Sequence, residues 1–219
     1  TVARRRPMRL LARLAEEIPG RLPQLDPSSL CVCLHAYAQM RSREHKFFAA
    51  LTRWVLHPDR RPELQSAHLA SLLYSHARVL LADRGLVNVA QLRLTEESKT
   101  FATEDIATAL QAFATLRVQD TPALASCMHT AMNHVDDGQL RTFCDMLYAL
   151  VQLHVPCEAF QRELAKRCEQ RSYELGSLAT SDLVRLLYGL GGVAEAATTC
   201  DAAAALLEAR LGELDGPRS

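Results

Sequence analysis

The sequence predicts an all-α protein, an α-solenoid of about five helix-turn-helix repeats with a step of 37–40 residues. The main observation is an apolar motif that occurs five times. It has a large apolar residue at position i, Leu at i+4, an aromatic, His or Leu at i+7, a small or β-branched residue at i+8 and an apolar residue at i+10. Offsets of 4, 7 and 8 share one helical face, and near-constant spacing indicates stacked repeats. The copies begin at Leu30, Leu69, Ile106, Phe143 and Leu183.

Composition agrees with this fold class. The chain has 219 residues, of which 48% are hydrophobic, so it can bury a core and is not intrinsically disordered. Aromatic residues make up only 5%, with nine Gly and nine Pro, which argues against a β-sandwich and against low-complexity sequence. No apolar run approaches the roughly 18 residues that a membrane span requires.

The stretches between the motifs predict the second helix of each unit, at residues 45–57, 86–94, 122–132, 156–168 and 201–214. The third begins with Thr121 as a cap before Pro122, a typical helix start. Such helix pairs cannot bury their apolar faces alone, so they stack. We predict three parts: an N-terminal basic helix in residues 1–25, belonging to a preceding repeat, a solenoid in 26–214 and a tail in 215–219.

Catalytic and metal-binding patterns are not found in the sequence. The seven cysteines are scattered, and Cys31 with His35 forms an i, i+4 pair that has no third ligand nearby. His76 lies on the apolar stripe, where a buried histidine with hydrogen-bonded nitrogens is expected. No phosphate-binding glycine loop or nucleophile motif occurs. We therefore expect a protein that is not an enzyme and that has no catalytic residue, metal or cofactor.

The formal net charge of zero conceals an asymmetry along the chain. Residues 1–60 hold 11 basic and 5 acidic side chains, a net charge of +6, whereas residues 61–219 carry −6. Arginine is suited to bidentate phosphate contacts, so the basic start is a candidate RNA contact. Arg41 and Arg117 fall at equivalent positions just beyond the first helix of their units; His154 shares this position, and Leu80 and Ala194 interrupt the series. The candidate RNA-binding residues are Arg4, Arg5, Arg6, Arg9, Arg13, Arg21, Arg41, Arg43 and Arg117.

Residues 26–214, with their step near 38, an apolar residue followed at i+4 by Leu, and caps such as Thr103-Glu104-Asp105, resemble organellar helical-repeat proteins. The nearest are octotricopeptide and heptatricopeptide repeats, together with the helical region of FAST-kinase/RAP-type proteins. The resemblance implies a non-catalytic subunit of a mitochondrial RNA–protein assembly, first of all a mitochondrial ribosome component or assembly factor.

The partners implied are rRNA or organellar mRNA at the basic N-terminal end and other protein subunits along the solenoid, with no membrane and no small-molecule substrate. The alternative is a HEAT-like scaffold for protein–protein interaction in another large organellar complex, without RNA. Another organelle or the cytoplasm is the alternative location.

Overall fold

In a computed structural model, the described part of the chain forms twelve α-helices and no strand, which confirms the all-α class. The structure describes residues 2–42, 44–60 and 63–214, and within these ranges the side chains from residue 10 to residue 212. The helices are α1 (Val2–Glu17), α2 (Pro27–Gln39), α3 (His45–Val55), α4 (Ser66–Arg78), α5 (Arg84–Glu97), α6 (Thr103–Leu116), α7 (Thr121–Asn133), α8 (Leu140–Gln152), α9 (Glu158–Gln170), α10 (Ser172–Ser177), α11 (Thr180–Leu190) and α12 (Ala197–Leu214). Short 3₁₀ segments lie at Ile18–Gln24, Ser98–Thr100 and Ala194–Ala196.

The helices are arranged in two rows, as expected of a solenoid. The five motifs form α2, α4, α6, α8 and α11, which pack side by side in that order, and we call them the inner helices. In the second row α5 packs on α7, α7 on α9 and α9 on α12; with α3, these are the outer helices. The inner helices pack more closely than the outer ones. A stack that is tighter on one side curves towards that side, so the inner helices line a concave surface.

The motif positions form the core between the rows. The first motif residue and the residue at i+7 are buried in every unit, as the apolar stripe predicts. His76 is one of these, and it is 1% exposed. Its Nδ1 lies 2.8 Å from the Leu72 carbonyl oxygen and its Nε2 lies 3.0 Å from the Thr52 hydroxyl. The prediction of a hydrogen-bonded core histidine is therefore confirmed.

Two inner helices approach each other closely at a glycine. A Cβ atom added to Gly189 would lie 2.5 Å from the Leu147 Cγ atom, so α11 contacts α8 through bare backbone. Gly189 stands at i+6 of its motif, two residues before Gly191, the small residue of the predicted pattern. The equivalent residues in the second, third and fourth units are Ser75, Ala112 and Ala149, and all three are buried. Small side chains at this position explain the close spacing of the inner row.

Two predicted helix caps are wrong by one residue, since Thr103 is the first helical residue of α6 after the cap position Ala102, and α7 shows the same displacement. The cap of α7 is Asp120, whose carboxylate accepts a hydrogen bond from the Ala123 backbone N–H at 3.0 Å, and Thr121 is the first helical residue. A carboxylate at the cap position satisfies a free N–H and also favours the positive helix end. The first inner helix starts in the same way, because Asp26 accepts from the Ser29 N–H at 2.9 Å.

The inner helices end in a repeated turn that the sequence pattern did not predict. Arg41, Leu80, Arg117 and His154 all have left-handed backbone, with φ between 52° and 58°. In each turn the next residue donates its N–H back to the carbonyl five positions earlier, as Val118 does to Phe113 at 2.9 Å. This is the bonding of a Schellman motif, which usually has glycine at the left-handed residue.

The fifth unit ends its inner helix differently. There α11 stops at Leu190, and the left-handed residue is Gly192 with φ of 94°. Leu80 therefore adopts the same turn as Arg41, Arg117 and His154 although its side chain is not basic. Ala194, at the equivalent position of the fifth unit, does not, because α11 ends earlier in its motif.

The N-terminal segment packs on the first unit. The Tyr37 hydroxyl donates a hydrogen bond to the Leu11 carbonyl oxygen at 2.7 Å, and Leu22 is buried. The division into residues 1–25 and 26–214 stays a prediction. The predicted tail, residues 215–219, lies outside the described residues.

Candidate functional site

The predicted RNA-binding arginines fall into three groups. Arg13 in α1 and Arg21 in the following 3₁₀ segment are exposed on the N-terminal segment. Arg41 and Arg117 are exposed in equivalent turns at the ends of α2 and α6. The side chains of five others are outside the described residues, namely Arg4, Arg5, Arg6, Arg9 and Arg43.

The repeat brings a set of basic side chains to one edge of the concave surface. The carboxyl ends of the inner helices carry Arg41, Arg78, Arg117 and His154, one in each of the first four units, and all four are exposed. We call these residues the basic rim. Three of them occupy the left-handed turn position, so the backbone holds them in equivalent places. Arg78 belongs to the unit whose turn residue is Leu80.

Two carboxylates near the basic rim cap the outer helices that follow. Asp83 and Asp120 follow the turns of the second and third units, and each caps the next outer helix by accepting a backbone N–H bond, from Leu86 at 2.9 Å and from Ala123 at 3.0 Å. Because these carboxylates are directed at helix starts, they complete local backbone bonding.

The opposite edge, formed by the amino ends of the inner helices, is rich in carboxylates that are paired. Asp105 accepts a hydrogen bond from the Ser66 hydroxyl at 2.7 Å. The buried Asp182 lies 3.5 Å from the Arg141 Nε and 3.3 Å from an Arg185 nitrogen. Nearer the middle of α8 and α11, Arg185 also pairs with Asp145, whose pKa is raised by burial while the Arg185 guanidinium opposes the rise. Asp182 is thus buried and matched by arginines, and the accessible negative charge of this edge comes from Glu104 and Asp105 in the first turn of α6.

Between the two edges runs a line of flat side chains. Each motif has a planar group at i+5, and the five residues are His35, Tyr74, Gln111, Tyr148 and Tyr188. We call them the planar row. The His35 and Tyr74 rings are stacked with centroids 5.7 Å apart, and the Tyr148 and Tyr188 rings meet edge to face at 5.2 Å. Tyr188 is 54% exposed, so its ring surface is available to a ligand.

Two grooves lie where the planar row meets the basic rim. The first has a volume of about 450 Å³, and we call it the Arg78 groove. The second has a volume of about 680 Å³, and we call it the Arg117 groove. The Arg78 groove is lined mainly by Arg41, Tyr74, Arg78, Gln111, Thr115 and Arg185. The Arg117 groove is lined mainly by Thr115, Arg117, Gln119, Gln152, His154 and Tyr188. Among the described residues that line them there is no carboxylate, although Arg185 of the Arg78 groove is paired with Asp145 and Asp182 beside it.

The chemistry of these grooves suits recognition of an anion with flat, polar rings. Guanidinium groups bind phosphate in bidentate geometry, tyrosine rings stack on bases, and glutamine amides both donate and accept hydrogen bonds. Gln119 is already held in part, because its amide donates to the Leu153 carbonyl oxygen at 3.4 Å.

Five of the seven cysteines are buried in the core, and Cys33 and Cys200 are partly buried. Burial raises the pKa of the Cys31 thiol to about 11 and that of Cys127 and Cys168 to about 12, so these sulfurs stay protonated. A metal or a nucleophilic reaction requires the thiolate. Within the described ranges no three His, Cys, Asp or Glu residues come together as metal ligands. Nor is any helix there long and apolar enough to cross a bilayer.

Sequence reasoning found part of this surface and missed the rest. It identified Arg41, Arg117 and His154 from their shared position. It missed the planar row, because i+5 lies off the apolar stripe used to align the repeats. The sequence did contain a signal for this row, since a planar side chain occurs at i+5 in all five units.

Comparison with known proteins identifies the family. No curated protein matches the chain. Residues 9–177 match the family model of the RNA-editing substrate-binding complex 6 protein, a stretch that covers most of the chain. The resemblance to octotricopeptide, heptatricopeptide and FAST-kinase/RAP-type proteins stays a prediction, because the matching model is a different one. The chain belongs to the family of RNA-editing substrate-binding complex 6 proteins, which are RNA-associated helical proteins.

Proposed function

We propose that the chain is a non-catalytic subunit of a mitochondrial RNA-editing assembly, in which it contacts RNA and other protein subunits. The observation that carries the proposal is the match of residues 9–177 to a family named after an RNA-editing substrate-binding complex. The basic rim supports it, because it places Arg41, Arg78 and Arg117 along one edge. The outer helices remain available for protein contacts.

The basic N-terminal end is the second part of the proposed RNA contact. Arg4, Arg5, Arg6 and Arg9 lie within a stretch of six residues, and Arg13 and Arg21 follow, both exposed. Several arginines at one end neutralise phosphates and release counterions, which makes binding depend steeply on salt. This contact is independent of RNA sequence and positions the RNA on the protein.

A place in a mitochondrial ribosome, the first expectation from the sequence, stays a prediction, and the family match favours an editing assembly over it. Purification of the tagged chain from mitochondria, with and without ribonuclease, separates the alternatives. We expect editing-substrate RNA together with editing-complex proteins. Recovery of rRNA with ribosomal proteins would support the ribosome instead, and a ribonuclease-resistant set of proteins without RNA would support the RNA-free scaffold.

The contribution of the N-terminal arginines can be measured directly. Replacing Arg4, Arg5, Arg6 and Arg9 by Ser should weaken RNA binding by the purified chain and should reduce the slope of log affinity against log salt. Removing one arginine–phosphate pair is expected to lower that slope by about 0.7–0.9.

A matched control removes the same charge elsewhere. Lys46, Arg53, Arg84 and Lys99 are exposed on or beside outer helices, so their replacement by Ser leaves the proposed RNA contacts in place. This control should retain the salt slope of the unmodified chain. If both quadruple variants lose affinity equally, net charge and not an N-terminal contact explains the binding.

A further inference from the structure

We infer that the concave surface binds single-stranded RNA, with unpaired bases stacked on the planar row and phosphates held by the basic rim. The inference rests on the proposed function, and it adds the form of the RNA and a second set of contact residues, far along the chain from the arginines of the N-terminal end. Three features of the surface support it.

The first feature is the planar row itself. Stacking on tyrosine or histidine rings is the sequence-tolerant way in which proteins bind unpaired bases. The rings at the two ends of the row lie in pairs, His35 with Tyr74 and Tyr148 with Tyr188, and Gln111 lies between the pairs. Since the same motif position supplies every member, the row continues through all five units and offers a repeated platform.

The second feature is the distribution of charge on either side of the row. A strand whose bases lie on the row must place its phosphates towards one edge. The carboxyl edge presents Arg41, Arg78 and Arg117, whereas the amino edge presents Glu104 and Asp105 in the first turn of α6. Phosphates are attracted by guanidinium groups and repelled by carboxylates, so the backbone of the strand lies along the basic rim.

The third feature is the narrowness of the concave side. Arg185 of the fifth unit lines the Arg78 groove together with Arg41 of the first unit and Tyr74 of the second. Residues so far apart along the array meet around one groove only if the surface curves tightly. Such a space suits a single strand. A duplex keeps its bases paired and stacked, so it is bound through its shape and backbone.

The Arg117 groove is the best-defined position for one nucleotide. A base stacked on the exposed Tyr188 ring would face the amides of Gln119 and Gln152, while Arg117 and His154 lie on the phosphate side. Amide groups beside a stacking ring provide hydrogen bonds to the edges of an unpaired base. We therefore expect this groove to contribute most to binding among the described positions.

The test is a fluorescence-anisotropy titration of the full chain with a short unstructured RNA and with a duplex of the same length. We expect the single strand to bind more tightly than the duplex. Tyr188→Ala should weaken single-strand binding about 5- to 100-fold, the usual effect of losing one stacking ring, and Tyr188→Phe should retain binding because the ring is kept. Tyr173→Ala is the matched control, since Tyr173 is 75% exposed on α10 and lines neither groove.

A second variant guards against a folding defect. Arg117→Gly removes the guanidinium while favouring the left-handed turn, so it should fold at least as well as the unmodified chain and still bind the strand more weakly. Equal loss in Tyr188→Ala and Tyr173→Ala, no loss in Tyr188→Ala, or equal binding of strand and duplex would overturn the inference.

The failure of the inference differs from the failure of the proposed function. If the single strand binds but only the N-terminal Arg→Ser variant loses affinity, the concave site is wrong and the RNA-associated function stands. If no RNA binds at low salt, both are wrong. A polyglutamate peptide that competes as well as RNA would show that the basic rim serves an acidic protein partner instead.

Discussion

His76 shows how a single polar residue is accommodated in the apolar stripe. In other units the same position is Tyr, Phe or Leu, and His76 fits because both ring nitrogens have partners. The neutral ring with a proton on Nδ1 donates to Leu72 and accepts from Thr52. Burial lowers the pKa of His76 below its ordinary value of 6.5, although the bond to Leu72 and the charge of Asp83 oppose the shift.

The lowered pKa predicts acid sensitivity. Because the unfolded chain takes up the proton more readily, the stabilisation is complete above about pH 6.5 and is lost as the pH falls from there through the folded pKa. We expect the free energy of unfolding to fall as the pH drops below about 6.5, by at most about 1.4 kcal/mol per pH unit from this residue. The double variant Thr52→Val/His76→Phe should lose most of that dependence, as measured by urea unfolding at several pH values.

The exposed His45 provides the control for this experiment. His45→Gln should keep the pH dependence of the unmodified chain, since His45 is exposed on the first turn of α3. An unchanged dependence in the Thr52→Val/His76→Phe variant would mean that other groups control the acid response.

At the scale of the helix, the ends of the inner helices are less stable than they could be. Four of the five use Arg, Leu or His in left-handed backbone, which costs a side-chain-bearing residue roughly 1–2 kcal/mol. Such strain is kept where the surrounding structure fixes it and often coincides with function. Here the strained position displays Arg41, Arg117 and His154 at the edge of the proposed RNA surface.

Leu80 allows the energetic cost of the left-handed backbone to be measured separately from any RNA contact. Its side chain is 61% exposed, so Leu80→Gly should raise the free energy of unfolding by about 0.5–1 kcal/mol, as relief of strain exceeds the added freedom of the unfolded glycine. Leu92 is 56% exposed inside α5, and Leu92→Gly should lower stability by about 1 kcal/mol. Chemical denaturation measures both. A Leu80→Gly variant no more stable than the unmodified chain would show that the turn carries no strain.

The helix scale also shows what the sequence can and cannot predict. The inner helices were found because Leu30, Ile106 and Phe143 repeat with the period of a buried face, and burial leaves a strong apolar signal. The turn at Leu80 was missed because backbone hydrogen bonds fix its conformation: the Leu80 N–H donates to the Ala77 carbonyl oxygen and the Leu81 N–H to that of His76. The identity of an exposed side chain does not reveal such bonds. The starting cap of α7 was displaced by one residue, since Asp120 and Thr121 are both good caps and geometry decided between them.

For the whole molecule, stability depends on how each unit packs on the next. Arg167 illustrates one such link, because it is 4% exposed, pairs with Glu174 at 2.6 Å and donates to the Val135 carbonyl oxygen in the preceding unit. Gly189 illustrates another, because α11 packs against Leu147 of the fourth unit through its backbone. A hydrogen bond from a buried guanidinium joins units in the first case and close packing in the second.

Gly189→Ala should therefore loosen the last unit. The added methyl group meets Leu147, and overpacking of this kind costs about 1–3 kcal/mol. We expect faster hydrogen exchange in α11 and α12 with little change in α2 to α5. Gly176→Ala is the control, because a Cβ atom there meets nothing within 4 Å and should be tolerated. Uniformly faster exchange along the whole chain would contradict a local effect.

The groove shared by Arg41, Tyr74 and Arg185 has a consequence for folding. Repeat arrays usually behave as one-dimensional chains whose terminal units fray independently of distant ones. Here residues of the first, second and fifth units surround the same space, so anything that fills it couples units that are not adjacent. An occupied groove would make the ends melt together, and the array would then unfold in a single cooperative transition.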